Sequence, residues 1–485
     1  MDNVHDHADG AAVATLPPAG GAGTGSPAPV LSKVPLPTHL PHAQPIPSSL
    51  WRIFGWLLFG DFILILMEQV VPRLGSLLLR RHDLSNTAIS LIMGTIPMLF
   101  GLFIMPIISY RSDQLRTRWG RRIPFMVITT PLIVLSLCAI PFSPMIAGWI
   151  DHLMGWDIPG VGAGAGTTAA IRTVTLVFAV TITSYSFFNA VCSACYAYLL
   201  PDVVPGQFIG RFMSLLRVFS LAGLFVFTFF FMGLAKDHMI EVFIGVGVLY
   251  GLGFLIVCLR VKEPDYGPPT DQRTVNPIAV FRSYARECFR HRLYLWLYAA
   301  FALYGISQVA GNLFDILFMN ETLGMDEGQM GQVIAWSAIA PLPLAYFCGN
   351  LIDRWKSQRV IILFAVLLSI GKLAGYFFIA GPITYVIFTI AYNAVAFFWG
   401  VTVAAFLVTL LPKARYGQFV SCIAFVSALV VMVANPVCGL FFDWVGDYRY
   451  VYLWPAILTL GLALILWRIY LEWRRCGGPD NYVAP

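Results

Sequence analysis

A chain of 485 residues that is 58% hydrophobic, only 12% charged and has a mean hydropathy of +0.75 cannot be a soluble globular protein of ordinary composition, which carries about twice that share of charge. Its net charge of +6 would suit an acidic partner, but the cations gather in alternate loops between apolar runs. That placement argues for membrane topology over nucleic-acid binding.

In chain order, residues 1–50 are rich in Pro, Ala and Gly, with neither a basic start nor an apolar core. They are expected to be a disordered cytoplasmic tail, not a signal peptide. Apolar runs follow at 52–74, 87–109, 123–143, 172–199, 212–234, 240–260, 293–318, 328–352, 360–380, 383–410, 418–441 and 450–471. Each is near the length that a tilted spanning helix needs, so the chain is predicted to be all-α with twelve transmembrane helices. The predicted domains are a six-helix bundle at 51–260, a cytoplasmic linker at 261–292, a second six-helix bundle at 293–471 and a cytoplasmic tail at 472–485. With both termini inside, the outer loops hold only Arg73, Arg80, Arg81, Arg172, Lys236 and Arg449 as cations, so orientation follows from charge. The outer loop at 144–171, with Trp149, Trp156 and a Gly-rich tract, reads as a lengthened linker or as a short interfacial helix followed by a tether. Seven of nine cysteines lie in apolar runs, and no disulfide framework or metal-ligand spacing is visible.

The most informative stretch is the basic turn between the second and third runs, with Ser109, Asp113, Arg116, Arg118, Gly120, Arg121, Arg122 and Pro124. A shorter version, with Gly349, Asp353 and Arg354, lies between the eighth and ninth runs. A second repeat joins Leu199-Leu-Pro201 and Gly206-Gln-Phe to Leu410-Leu-Pro412 and Gly417-Gln-Phe. The small residue four before each Asp lets two helix ends approach, and the carboxylate can meet a helix N-terminus or an Arg. The paired loops resemble the signature loops of the major facilitator superfamily, with Ser109 in place of the usual Gly and Gln114 in place of the usual Arg. The extended first loop is similar to those of the glycoside-pentoside-hexuronide and sucrose/proton symporters, and the stretch from Asn435 to Arg449 also resembles the superfamily.

The resemblance implies two pseudo-symmetric six-helix bundles and alternating access, with runs 1, 4, 7 and 10 lining a central cavity. It also implies a gating latch at Asp113, Arg118, Gly120, Arg121, Arg122, Gly349, Asp353 and Arg354. A glycoside or disaccharide of the sucrose or maltose type is the implied substrate. In the first run, Asp61 and Glu68 stand seven residues apart, nearly two turns, on one helix face. Charge at mid-bilayer costs at least ~3 kcal/mol, so these acids are the candidates for carrying a coupling proton. Gln69, Tyr185, Asn189, Tyr196, Gln308, Asn312, Asn393 and Trp399 are the candidates for holding sugar, through amides that meet hydroxyls and rings that stack on a sugar face. Asp315 is expected near the outer surface as a solvated acid or a site residue. Lys372 reads either as a Lys snorkelling to the inner surface or as the partner of a buried acid.

No phosphate loop, zinc spacing or nucleophile elbow is present, so no enzyme activity, metal or cofactor is expected beyond the proton as coupling ion. The expected partners are the sugar, the proton and membrane lipids, with no nucleic acid, for a monomer in the plasma (bacterial inner) membrane. Two alternatives stay open: an exporter or organic-anion carrier using Lys372, and a non-transporting membrane sensor or assembly factor.

Overall fold

The computed structural model describes residues 48–154, 168–263, 288–344, 351, 354–412, 415–478, 482 and 484. Among these the regular elements are helices, with one isolated bridge between Thr117 and Gly120. Twelve helical segments follow in order. The first half holds α1 (Leu50–Arg81), α2 (86–114), α3 (Ile123–Leu153), α4 (Thr168–Val203), α5 (Gly206–Leu234) and α6 (Met239–Arg260). The second half holds α7 (Arg292–Thr322), α8 (Glu327–Ile339), α9 (Ser357–Phe378), α10 (Pro382–Leu410), α11 (Tyr416–Val445) and α12 (Tyr450–Arg475). Eleven of these are long and apolar enough to cross a bilayer. The remaining one is α8, whose predicted run continues into residues outside those described. The predicted outer loop begins as the helix Ser143–Leu153 at the end of α3, with Met145, Trp149 and Leu153 exposed, as suits an interfacial turn.

Within the first half, α1 packs against α5 and α6, and α3 against α4 and α6. Within the second, α7 packs against α11 and α12, and α9 against α10 and α12. The halves meet along α2 with α11 and α5 with α8. Close approach there depends on residues without a side chain, as in other membrane-buried helix pairs. A Cβ on Gly331 of α8 would overlap the Thr228 carbonyl oxygen of α5, and one on Gly439 of α11 would stand 2.7 Å from the Asn86 carbonyl oxygen of α2. Single π-turns interrupt α1 at Val71–Gly75, α2 at Leu91–Thr95 and α5 at Phe227–Phe231, and another ends α7 at Phe318–Thr322. Each widens its helix locally and re-aims the side chains beyond it.

Polar contacts between the halves gather at one end of the bundle, here called the seam. It carries the loops that the cation distribution assigns to the outside. Arg80 Nε meets Glu321 at 2.8 Å, Arg81 meets Glu327 at 2.5 Å, and Lys236 lies 3.9 Å from Asp326. Asp443 of α11 caps α2, accepting from the backbone N–H of Asn86 at 2.7 Å and of Thr87 at 2.9 Å, and from the Thr87 hydroxyl at 2.5 Å. The helix N-terminus, with its unsatisfied donors and partial positive charge, is where a carboxylate is most favoured. The Tyr448 hydroxyl donates to Asn86 Oδ1 at 2.6 Å, and burial pushes it up to about 12, so it stays a neutral donor at physiological pH.

Gly331→Ala and Gly439→Ala are each expected to destabilise the closed seam by about 1–3 kcal/mol through overpacking, without unfolding either half. Alkylation of Cys438, buried in α11 beside Gly439, should accelerate about tenfold or more, whereas Gly400→Ala, which meets open space, should leave the rate unchanged.

Candidate functional site

A cavity of about 590 Å³ lies between the halves, with walls from α1, α2, α4, α7 and α11. Its polar lining includes Glu68, Gln69, Asn189, Asn312 and Asn435, and the Tyr185 ring lies on the same wall. Glu68 is held by α4: Oε1 accepts from the Ser193 hydroxyl at 2.6 Å and from Asn189 Nδ2 at 3.3 Å. The Ser193 hydroxyl also stands 3.3 Å from Asn189 Oδ1, and Asn189 itself donates to Glu68, so carboxyl, amide and hydroxyl form one connected group. No ion pair to Glu68 occurs among the described residues. A larger groove of about 760 Å³ between α3 and α6 is lined mostly by apolar side chains, including exposed Leu135 and Leu252, and faces the lipid side.

The other candidates are dispersed. Asp61 turns to α5, where its Oδ2 accepts from the Ser220 hydroxyl at 2.5 Å, and it does not reach the cavity wall. The shared face expected from the seven-residue spacing therefore serves two different neighbours. Tyr196 is buried, its hydroxyl donating to the Leu57 carbonyl and its ring 5.6 Å from Phe254, so it braces α4 against α1 and α6 instead of facing solute. Trp399 is likewise core, its ring 5.1 Å from Tyr304. Gln308 donates to its neighbour Ser307 at 3.2 Å, and neither it nor Asn393 lies in the cavity lining. An aromatic-rich membrane core places most of its rings in helix contacts, and periodicity alone does not separate these from cavity-facing ones.

Asp315 is not a solvated acid. Its Oδ2 accepts from the Tyr385 hydroxyl at 3.0 Å and its Oδ1 from the Tyr452 hydroxyl at 3.4 Å. Lys372 does not run to the inner surface, because its Nζ lies 4.4 Å from the Tyr392 ring centre and 5.0 Å from that of Tyr452.

At the opposite end from the seam, the basic turn closes on the first half itself. Arg121 makes a two-pronged contact with Asp202, both at 2.9 Å, and Arg122 Nε meets the same carboxylate at 2.7 Å. Glu263 accepts from the backbone N–H groups of Arg121, Arg122 and Ile123 at 2.8–2.9 Å, at the start of α3. Gly120 has φ +109°, and a Cβ there would collide with the Glu263 carboxylate, so glycine is required on both counts. Arg118 and Arg354 are exposed. Gly349 and Asp353 lie outside the described residues, as does the side chain of Asp113. Asp202 and Glu263 escape a sequence reading centred on the turn, although Asp202 sits inside the repeated Leu-Leu-Pro segment.

Two helical bundles that meet around a central polar cavity, closed at one end, have the architecture of a membrane transporter. The family model for the Major Facilitator Superfamily matches residues 57–411 and 300–477, and the chain belongs to that superfamily. No curated protein sequence is a significant match. Among solved structures, a bacterial homologue of the iron transporter ferroportin is similar at 14% identity and TM-score 0.64, covering 87% of this chain and 99% of that one. The nucleoside transporter NupG is similar at 13% identity and TM-score 0.63, covering 86% and 99%. A D-xylose-proton symporter is similar at 16% identity and TM-score 0.57, covering 87% and 97%.

Asp202→Asn weakens three charge-assisted hydrogen bonds in a region only 7–17% exposed. We expect it to cost about 2–3 kcal/mol, measured as a lower unfolding midpoint in detergent, with the cavity intact.

Proposed function

We propose that the protein is a secondary transporter that moves a sugar of the glycoside or disaccharide class with a proton, by alternating access, in the bacterial inner membrane with both termini cytoplasmic. The observation that carries this reading is Glu68, a carboxyl group on the cavity wall, hydrogen-bonded to α4 and without an ion pair among the described residues. In hydrocarbon surroundings an unpaired carboxylate is disfavoured, so Glu68 holds a proton while the halves reorient and releases it where water enters. Asn189 binds Glu68 and lines the cavity, so solute bound there touches the group that takes the proton. That shared contact links the two fluxes.

The amides of Gln69, Asn189, Asn312 and Asn435 offer paired donors and acceptors to hydroxyls, and the cavity volume falls within the ~300–1,000 Å³ typical of small-molecule sites. The sugar class itself rests on the similarity of the basic turn to the sucrose/proton branch. Closure at the seam corresponds to an inward-facing state of the transport cycle. The organic-anion alternative loses its cation, because Lys372 faces tyrosines and not the cavity. Asp61, off the cavity and bonded to Ser220, takes a positioning role between α1 and α5.

Uptake of labelled disaccharides into proteoliposomes tests this reading. With one proton per sugar, a gradient of one pH unit supports about tenfold accumulation. Glu68→Gln should abolish the accumulation while leaving downhill equilibration. Proton-driven accumulation that survives Glu68→Gln would remove Glu68 from the mechanism, and absence of flux for every sugar would remove the solute class.

A further inference from the structure

Close to the seam, three ionisable side chains from three helices converge without forming a simple pair. Asp315 of α7 takes hydrogen bonds from Tyr385 of α10 and Tyr452 of α12. Tyr452 serves two partners, because its hydroxyl donates to Asp315 while its ring face takes the Lys372 ammonium of α9. The third member, Arg73, comes from the other half of the molecule. It stands in the π-turn of α1, just before the stretch Ser76–Arg81 that packs against α7, the helix that carries Asp315, and it closes no ion pair to Asp315 within 4.0 Å. Its Nε is sealed from solvent and has no hydrogen-bond partner among the described residues.

We propose that Asp315 is a shared counter-ion: Arg73 of the first half and Lys372 of the second both hold it while the seam is closed, and it is left to Lys372 alone when the halves part there. The count of charges drives the exchange. Two cations face one acid in surroundings where an uncompensated charge is strongly disfavoured. Lys372 and Asp315 belong to the same half and stay together through any rigid rocking of the halves, whereas Arg73 leaves with α1. Arg73 is therefore the movable member, and its attraction to Asp315 adds a deep contact to the rim pairs Arg80–Glu321 and Arg81–Glu327. Lys372 competes for the same carboxylate and weakens that hold, so the two cations act on closure in opposite directions. The inference rests on the alternating-access rocking of the two halves proposed above, not on the solute or the coupling ion.

The test uses the full chain in membrane vesicles, with Ser186→Cys on the cavity wall as reporter. Its alkylation by a membrane-impermeant maleimide is measured from the seam side, and the parent chain without the reporter sets the background from native cysteines. Arg73→Met should raise the labelling rate about fivefold or more, and Lys372→Met should lower it by a similar factor. Shifts in the same direction, or no shift in either variant, would overturn the proposal. Where a Met variant fails to fold, Arg73→Gln and Lys372→Gln carry the same opposed expectation. Loss of folded protein in all four would mark the cluster as purely structural and overturn it as well.

Discussion

The Asp443 carboxylate at the N-terminus of α2 is the contact on which the observed arrangement turns. It joins residues more than 350 positions apart, and it satisfies backbone donors that the first turn of any helix leaves open. Because the donors belong to one half and the carboxylate to the other, the cap exists only while the seam is shut. The rim follows the same logic, with cations of the first half (Arg80, Arg81, Lys236) facing acids of the second (Glu321, Glu327, Asp326). Separating the halves exposes both sets of charges to water, which replaces much of what is lost. Such a seam can be stable and still reversible, since the exposed pairs Arg80–Glu321 and Lys236–Asp326 contribute little net energy each, and only Glu327 of the rim acids is buried.

Depth distinguishes the roles of the charged groups. At the rim, the charges other than buried Glu327 are partly hydrated, and all serve closure. One level deeper, Asp315 and its tyrosines sit where hydration is poor, so the same kind of attraction is stronger and more sensitive to which partner is near. On the cavity wall, Glu68 has amide and hydroxyl partners in place of a cation, which leaves its charge state open to change. At the far end, Asp202 and Glu263 tie the basic turn to the first half.

Much of the fold is legible in the sequence because the bilayer demands apolar runs of spanning length, and the structure builds eleven of the twelve runs as helices long and apolar enough to cross it. The candidate site is legible only in part. Glu68, Gln69, Asn189 and Asn312 are polar residues in apolar runs, and the structure places them around one cavity. Tyr196 and Trp399 look equally promising by spacing, yet both are core, because a helix face says nothing of which neighbour it meets. The cross-half partners were hidden for a different reason. Arg81 and Glu327 are 246 residues apart, and no local period or motif encodes such a pairing. Lys372 and Asp315 stood out individually as costly intramembrane charges, but only the packing of α9, α10 and α12 around α7 brings them together.

The central claim is that the charged seam sets which end of the molecule is closed. Pulsed spin-label distances test it without knowledge of the solute. One label pair would be at Asp237→Cys and Thr322→Cys on the seam side, and another at Met213→Cys and Arg354→Cys on the opposite side, in chains cleared of reactive native cysteines. When Glu327→Lys removes the acid that Arg81 holds, the account predicts that the seam-side distance lengthens while the opposite distance shortens. Distances that stay fixed, or that lengthen together, would contradict it.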